Sequence, residues 1–283
     1  MPEKMPENND QHSESARQRV AFLGVGMMGE ALLAGLVRDG SPDQVVVSDH
    51  SAQRQAEVAE KYGVRAGTIA EAVAGAGSVI LAVKPKDMGA LLEEVGAHLQ
   101  PGAVVISVAA GLTTAYLEER LPAGTPVVRV MPNTPALVGQ GMTAVSPGTH
   151  CDDSQVADAQ ALLSPSGKVV AVPESQLDAV TAISGSGPAY IFYVVEAMVE
   201  AGVLLGVTRA TATELVVQTL YGAATMLTET GDHPTLLRER VSSPGGTTVA
   251  ALRQLDDHKV RAAFVTAMEA AAKRSAELAA GQA

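Results

Sequence analysis

The chain has 283 residues, of which 47% are hydrophobic and 18% charged, and its formal net charge is -11. That apolar content supplies a large core, and the length favours about two domains. An acidic chain repels phosphate backbones, and 3% aromatic residues without tryptophan offer little for base stacking. We therefore expect no nucleic-acid partner.

Cysteine and histidine usage points to a reducing compartment without a bound metal. Cys151 is the only cysteine, so the chain has no internal disulfide framework. The six histidines show no metal-ligand spacing. These features predict a cytoplasmic protein with no metal site.

The N-terminus and the longest apolar run bear on targeting. Residues 1–17 are rich in Pro, Glu, Asn, Gln and Ser and lack the apolar stretch of a signal peptide, so they are predicted to be a disordered tail. The run from Ala189 to Val207 is long and apolar, but Glu196 and Glu200 lie inside it. Intramembrane charge is costly, so we expect a buried helix of a soluble protein and no membrane partner.

Residues 18–173 alternate between strand-like and helical segments. The strand-like runs are almost continuously apolar, which is typical of a parallel sheet covered by helices on both faces. This pattern predicts an α/β, Rossmann-like, doubly wound and mostly parallel sheet domain that binds a dinucleotide. The predicted strands are Val20–Leu23, Val45–Val47, Val79–Val83, Val104–Val108 and Val127–Met131, and the predicted helices are Met28–Asp39, Ala52–Tyr62, Asp87–Leu99 and Thr114–Leu121.

Residues 174–283 contain no strand-like run and are predicted to form an all-α domain. Helices are expected near Ser175–Ile183, Pro188–Leu205, Arg209–Glu229, Thr247–Leu255 and Lys259–Leu278. The segment Ala189–Leu205 is apolar around most of its circumference and must be buried on all sides. A domain of this size has little room for such a helix, so we expect two subunits to interleave their helices in an obligate homodimer.

A glycine-rich segment, Gly24-Val25-Gly26-Met27-Met28-Gly29, follows the first strand and opens the first helix. Gly24 permits a tight turn, Gly26 lets the backbone approach a pyrophosphate, and Gly29 permits close packing of helix on strand. The helix N-terminus supplies free N–H groups. With an acidic residue about twenty positions on, Asp49, this context favours dinucleotide binding over an ordinary strand-to-helix turn.

The sequence leaves the choice between NAD and NADP open. Asp49 stands where an acid holds the ribose 2′-hydroxyl and disfavours a 2′-phosphate. Ser48, His50, Ser51 and Arg54 lie beside it and could neutralise a phosphate. Taken alone, Arg54 is interpreted as a solvated helix residue.

Four further segments are too rich in glycine, proline and small polar residues to be explained by packing. They are Ala82–Pro85, Val130–Pro135, Ser184–Tyr190 and Val241–Thr248. The first two follow sheet strands, where ligands of open α/β sheets bind. The last lies between two helices, and its glycines free backbone N–H groups at a helix start, which is a natural carboxylate site.

In their order, the glycine loop and these four segments closely resemble those of pyrroline-5-carboxylate reductases, from about Val20 to Leu278. The resemblance implies reduction of 1-pyrroline-5-carboxylate to L-proline with NADPH or NADH, the last step of proline biosynthesis. It also implies that subunits pair through the helical domain, often with five dimers in a ring.

The resemblance assigns functional residues by position. The implied cofactor contacts are Leu23, Gly24, Val25, Gly26, Met27, Met28, Ser48, Asp49, Ala82, Val83, Lys84, Pro85, Val108, Ala109 and Ala110, to which the motif adds Gly29. The implied substrate contacts are Val241, Ser243, Gly245, Gly246, Thr247 and Thr248.

Hydride addition to a C=N bond requires a protonated nitrogen or a proton donor. We expect the substrate carboxylate to bind backbone N–H groups around Ser243 and Gly246, and Thr248 to hydrogen-bond the ring nitrogen and relay a proton from water. Ser243 and Thr248 are therefore the candidate catalytic residues. A first-turn threonine that only bonds the backbone is the alternative for Thr248.

Two other functions fit parts of the pattern. A β-hydroxyacid dehydrogenase resembles this chain in layout but uses a lysine on the first long helix of its second domain, and no lysine occurs here between Lys168 and Lys259. A non-catalytic dinucleotide sensor would keep the glycine loop but has no need of the segment Val241–Thr248.

Overall fold

The computed structural model describes residues 19–40 and 42–281, and the predicted disordered tail over residues 1–17 lies outside them. Within the described residues the chain forms two compact units. The first comprises residues 19–130 and 136–174, and the second comprises residues 131–135 and 175–281.

An eight-stranded sheet forms the centre of the first unit, with the strand order β3-β2-β1-β4-β5-β6-β7-β8. The pairings of β1 with β2 and β4, of β2 with β3, of β4 with β5, of β5 with β6 and of β7 with β8 are parallel. From β1 the chain adds β2 and β3 on one side of the sheet and then β4, β5 and β6 on the other. Such a switch point between β1 and β4 creates a ligand-binding crevice at the carboxyl ends of these two strands. The strands are β1 (Arg19–Leu23), β2 (Val45–Ser48), β3 (Arg65–Ala66), β4 (Ala76–Leu81), β5 (Val104–Ser107), β6 (Val127–Met131), β7 (Gly141–Pro147) and β8 (Gly167–Ala171).

The central strands β1, β2, β4, β5 and β6 are mostly apolar because both faces of the sheet are buried there. Phe22 and Ile80 belong to one buried layer, and their chain neighbours Leu23 and Leu81 belong to the other. Successive side chains of a strand point to opposite faces, so each face needs its own apolar set. The predicted α/β, doubly wound and mostly parallel fold is confirmed.

Helices cover the sheet, and two of those that sequence analysis did not predict begin with capping boxes. Thr68 and Glu71 form one at the start of α3, and Asp152 and Gln155 form another at the start of α6. Each box satisfies two N–H groups at the helix start. The helices of this unit are α1 (Met27–Asp39), α2 (Ala52–Tyr62), α3 (Ile69–Val73), α4 (Met88–His98), α5 (Thr114–Glu118) and α6 (Asp153–Leu163).

A partly buried ion pair connects β6 to Glu174 at the end of the first unit. Arg129 Nη1 lies 3.0 Å from Glu174 Oε1, and that carboxylate also accepts hydrogen bonds from the backbone N–H and the hydroxyl of Thr114. Burial alone raises the pKa of Glu174, but the hydrogen bonds from Thr114 and Arg129 outweigh it and hold the pKa below its ordinary value. Glu174 therefore stays ionised at neutral pH.

The second unit is helical, and its first predicted helix differs in form. The segment predicted as one helix, Ser175–Ile183, contains a 3-10 turn and α7 and then passes into a π-helical turn, Thr181–Gly185. That turn closes with a hydrogen bond from Ser186 N to Thr181 O of 2.8 Å. The helices are α7 (Leu177–Val180), α8 (Gly187–Leu204), α9 (Arg209–Thr230), α10 (Pro234–Arg240), α11 (Thr247–Asp257) and α12 (Val260–Ala279).

The apolar residues of α8 are largely exposed in the single chain. Phe192, Tyr193 and Leu204 have relative exposures of 66%, 74% and 88%. Large apolar side chains exposed in this number along one helix are typical of an interaction face. Within the described part of the chain, one helical stretch, Glu174–Leu204, has the length and apolar character that a membrane crossing requires.

Candidate functional site

The predicted cofactor residues of the first unit meet at one edge of the sheet. The N–H of Gly24 donates to Ser48 O at 2.8 Å, and the N–H of Ala82 donates to Leu23 O at 2.8 Å. The N–H of Val108 donates to the carbonyl of the last residue of β4 at 3.0 Å. The turns after β1, β2, β4 and β5 are thereby joined at the carboxyl ends of these strands.

The three loop glycines have different structural roles. Gly24 has a φ of +93°, and a Cβ there would lie 2.7 Å from Ala82 O. A Cβ on Gly29 would lie 2.2 Å from Gly24 O. A Cβ on Gly26 would meet no heavy atom within 4 Å. Gly24 and Gly29 are therefore needed for the fold, whereas the fold leaves open space beside Gly26.

The start of α1 has the features of an anion site. Gly26 is its N-cap, and no side chain of the described residues caps it. Unpaired N–H groups and the positive end of the helix dipole favour a pyrophosphate there. The open space beside Gly26 admits such a group, so these residues fit a dinucleotide.

Asp49 joins the glycine loop to the end of β2. Its Oδ2 accepts the N–H of Val25 at 2.8 Å, and its Oδ1 accepts the N–H of Ser51 at 2.9 Å. The side chain is 7% exposed. The carboxylate thus fixes the loop and keeps a negative charge at the ribose-binding edge.

The interpretation of Arg54 as a solvated helix residue is wrong. Its Nε donates to Val25 O at 3.0 Å, and its guanidinium forms an ion pair with Glu30 in the first turn of α1. Glu30 Oε1 also accepts from Lys61 Nζ at 2.9 Å and from the Tyr62 hydroxyl at 3.0 Å. Sequence reasoning missed this network because its partners are far apart along the chain.

Glu30 is held ionised by these partners. Burial alone raises its pKa, but hydrogen bonds from Lys61, Arg54 and Tyr62 lower the pKa to about 2. A carboxyl whose folded-state pKa is depressed stabilises the fold above its unfolded-state pKa, and this stability is lost as pH falls through the folded-state value.

Glu30→Gln is therefore expected to lower the free energy of unfolding at pH 7 by about 2 kcal/mol. The difference from the natural chain should shrink as pH falls from about 4.5 toward 2. Urea unfolding across this pH range measures it, with exposed Glu57→Gln as the control. A difference that stays constant down to pH 2 would show that the ionised carboxylate is not what stabilises the loop.

The remaining predicted cofactor residues flank the loop. Met27 is 69% exposed at the start of α1. Lys84 and Pro85 are exposed at a 3-10 turn, Pro85–Asp87, and Ala110 is exposed after β5, whereas Ala109 is buried. Lys84 is a positively charged residue three positions after the end of β4.

The predicted substrate residues lie in the second unit, before and within the first turn of α11. Gly245 has a φ of +69°, and the N–H of Gly246 donates to Ser243 O at 3.0 Å. Gly246 is the N-cap of α11, which no side chain of the described residues caps. The N–H groups of Thr247 and Thr248 therefore face a site that suits a carboxylate.

Thr248 differs from the other helical threonines of this unit. Thr213 and Thr228 donate their hydroxyls to the carbonyl four residues before them, at 2.9 and 3.0 Å. The half-buried Thr248 makes no hydroxyl hydrogen bond to any residue of the described ranges. Its hydroxyl is therefore free to bind a substrate atom, unlike that of a threonine bonded to its own helix.

Two of the unusual segments meet in the second unit. Asn133 Nδ2 donates to Ser184 O in the π-helical turn at 3.0 Å. A cavity of about 370 Å³ opens beside this contact and is mostly apolar. Its lining includes Asn133, Ser184, Pro188, Tyr190 and Phe264. Sequence reasoning selected both segments, but nothing in their spacing indicated this contact.

The fold and the geometry of the site together define the class of protein. A dinucleotide cradle at the reversal point of a mostly parallel sheet is typical of NAD(P)-dependent oxidoreductases, and an all-α unit with an anion-binding helix start follows it in the chain. A family model described as pyrroline-5-carboxylate reductase dimerisation matches residues 174–278. A second, described as coenzyme F420-dependent NADP oxidoreductase, matches residues 19–111.

Relatives extend the match over nearly the whole chain. A pyrroline-5-carboxylate reductase of Corynebacterium melassecola is 48% identical over 92% of this chain and 98% of its own length. The chain belongs to the pyrroline-5-carboxylate reductase family. The predicted family and its NAD(P)-dependent oxidoreductase class are confirmed, and the dimerisation match supports a homo-oligomer.

Solved structures agree in fold. A pyrroline-5-carboxylate reductase of Coxiella burnetii has a TM-score of 0.87 and 37% identity, with coverage of 92% of this chain and 98% of that one. The Plasmodium falciparum pyrroline carboxylate reductase with NADP bound has a TM-score of 0.84 and 27% identity, with coverage of 93% and 98%. The NADP oxidoreductase match over residues 19–111 and the NADP-bound structure support an NAD(P) cofactor for this chain.

Proposed function

We propose that the chain reduces 1-pyrroline-5-carboxylate to L-proline with NADPH or NADH, the last step of proline biosynthesis. Similarity to pyrroline-5-carboxylate reductases over nearly the full length, at 48% identity, is the observation that carries the proposal. The dinucleotide cradle and the uncapped start of α11 supply the two binding functions that this reaction needs.

The first unit binds the cofactor, which supplies a hydride to the imine carbon. The N–H groups at the start of α1 bind the pyrophosphate, and the backbone approaches it at Gly26. Asp49 fixes the loop, and Lys84 offers a positive charge. The turns Ala82–Pro85 and Val108–Ala110 complete the proposed cofactor site.

The α11 loop orients the substrate. Backbone N–H groups of Thr247 and Thr248 bind its carboxylate, and the turn made by Ser243, Gly245 and Gly246 shapes the site, with Val241 at its edge. Fixing the carboxylate fixes the ring, and holding reactants in a productive geometry accounts for much of enzymatic rate enhancement.

The nitrogen must gain one proton as the imine carbon gains one hydride. Thr248 hydrogen-bonds the ring nitrogen and relays a proton from water, because a hydroxyl both donates and accepts. Its acidity is too low for it to act alone as a general acid, so water restores the proton. Ser243 supports the loop beside it.

Helix α8 has no lysine that could serve as the proton donor of a β-hydroxyacid dehydrogenase. The charged residues of that helix are Glu196 and Glu200, and Glu200 Oε1 lies 2.8 Å from Arg209 Nη1. An alkoxide product needs a strong donor such as lysine, whereas an amine formed from an iminium does not. This chemistry favours an imine substrate.

For assembly and location, we propose a homodimer through the helical unit, with five dimers in a ring, in the cytoplasm. The exposed apolar residues of α8 support pairing of subunits. The net charge of -11 supports the proposal of no nucleic-acid partner, and Glu196 and Glu200 inside the apolar helix α8 support the proposal of no membrane partner. Domain limits of 18–173 and 174–283 are proposed for cofactor binding and for dimerisation with substrate binding.

Loss of reduced-nicotinamide absorbance with 1-pyrroline-5-carboxylate, in parallel for NADH and NADPH, tests this function. We expect turnover with proline as the product. A 3-hydroxy acid with the oxidised cofactors serves as the comparison substrate. Turnover of the hydroxy acid alone, or tight dinucleotide binding without any turnover, would contradict the proposal.

A further inference from the structure

The edge at the end of β2 decides whether a ribose with a free 2′-hydroxyl or with a 2′-phosphate is accepted. Asp49 lies there, 7% exposed, and each of its oxygens already accepts one backbone N–H. A carboxylate oxygen has a second acceptor position, so the group can still accept a hydrogen bond from a ribose hydroxyl. The same charge repels a phosphate.

The nearby guanidinium and ammonium groups are already paired. The guanidinium of Arg54 is bound to Glu30 and its Nε to Val25 O. Lys61 Nζ lies 2.9 Å from the same Glu30 carboxylate. Glu57 adds a further negative charge, with Oε2 3.9 Å from Arg54 Nη1. The charges of Arg54 and Lys61 are thus balanced by the carboxylates of Glu30 and Glu57. The Asp49 carboxylate adds a net negative charge at the end of β2.

His50 is the basic residue that directly follows Asp49 in the chain. Its ring is 96% exposed, and Nδ1 lies 3.1 Å from Asp49 Oδ1. An exposed imidazole near a carboxylate binds a 2′-phosphate more weakly than a free guanidinium does, because a guanidinium forms two parallel hydrogen bonds to a phosphate.

We propose that Asp49 and Glu30 together make this enzyme select NADH over NADPH. Asp49 accepts the 2′-hydroxyl and repels a 2′-phosphate, and Glu30 keeps the Arg54 guanidinium on the loop and away from the ribose. This inference rests on the proposed function and names the cofactor for it. Glu30 acts here as a positioning residue.

Ligand binding tests the selection without catalysis. Isothermal titration calorimetry of the full-length protein with 5′-AMP and with adenosine 2′,5′-bisphosphate measures how the 2′-phosphate alone changes the affinity. Titrations with NADH and NADPH make the same comparison for the whole cofactors. We expect the ligand without the 2′-phosphate to bind at least about tenfold tighter in each pair. Equal or tighter binding of the 2′-phosphorylated ligands would overturn the proposal.

Variants separate the two carboxylates. Asp49→Asn is expected to shift the affinity ratio toward the 2′-phosphate by about tenfold. Glu30→Gln should shift it in the same direction by releasing Arg54, and adding Arg54→Met should remove that gain. Glu57→Gln, which leaves Glu30 on Arg54, and His50→Ala should change the ratio less than about twofold.

These results distinguish failure of the inference from failure of the proposed function. If neither variant moves the ratio, or if His50→Ala alone abolishes binding of the 2′-phosphate, Asp49 and Glu30 do not set the preference. Proline formation that is faster with NADPH would overturn the selection and leave the reductase intact. Circular dichroism checks folding, and Asp49→Asn tests the idea independently if Glu30→Gln does not fold.

Discussion

Gly26→Val is expected to weaken binding of both NADH and NADPH by about a thousandfold, or about 4 kcal/mol, with the fold unchanged. Gly26 has a φ of -64°, which any residue adopts, and a Cβ there would meet no heavy atom within 4 Å. The valine side chain would therefore occupy only the space that the pyrophosphate needs. Cofactor fluorescence titration measures the affinity, and thermal unfolding measures the stability.

Gly24→Ala is the matched control, because the same loop cannot accept a side chain there. Its φ is +93°, and the new Cβ would lie 2.7 Å from Ala82 O. This variant should lose stability by about 2 kcal/mol or more, whatever its affinity. If Gly26→Val kept its affinity, the loop would not be the pyrophosphate site. If it unfolded like Gly24→Ala, Gly26 would be a structural residue.

Thr248→Ala is expected to lower kcat by about a hundredfold, with the affinity for dinucleotide unchanged. The hydroxyl lies in the first turn of α11 and makes no hydrogen bond within the described ranges, so its removal leaves no buried partner unsatisfied. The loss should therefore fall on proton transfer and not on folding. Steady-state kinetics with dinucleotide titration measures both quantities.

Two further variants make the Thr248 result specific. Thr248→Ser keeps the hydroxyl and should restore most of the turnover. Thr228→Ala removes a hydroxyl that donates to Ala224 O at 3.0 Å and should leave kcat near that of the natural chain. Equal loss of turnover and dinucleotide affinity in Thr248→Ala would instead mean that Thr248 only supports the local structure.

Much of the sheet unit could be predicted because its signals are local. The limits of α2 agree with the prediction, Ala52–Tyr62, since Ser51 caps its start and Gly63, with a φ of +67°, ends it. The apolar strand runs likewise follow from a sheet buried on both faces. The strand predicted at Val79–Val83 instead spans Ala76–Leu81, because the chain turns into the cofactor edge after Leu81.

Some elements were missed, and among α3, α6 and β3 only the two helices carry a start signal in the sequence. Thr68 with Glu71, and Asp152 with Gln155, have the spacing of capping boxes and precede α3 and α6. Helix α3 has only five residues, so its hydrophobic period is too short to detect. Strand β3 has two residues and offers no pattern at all.

The contacts that tune the site could not be predicted, because they depend on the fold. Arg54 and Glu30 are 24 positions apart, and Asn133 and Ser184 are 51 apart. Only the parallel order of β1 and β2 and the packing of their helices bring the first pair together. The segments that bind ligands can thus be recognised in the sequence, whereas the hydrogen bonds that orient them cannot.

Isotope transfer tests the central claim most directly. The enzyme is supplied with 1-pyrroline-5-carboxylate and reduced nicotinamide cofactor deuterated at both C4 positions. We expect L-proline with one deuterium on its δ carbon, the former imine carbon, for each cofactor oxidised. Proline without deuterium at that carbon, or cofactor oxidation without proline, would contradict hydride transfer to the imine.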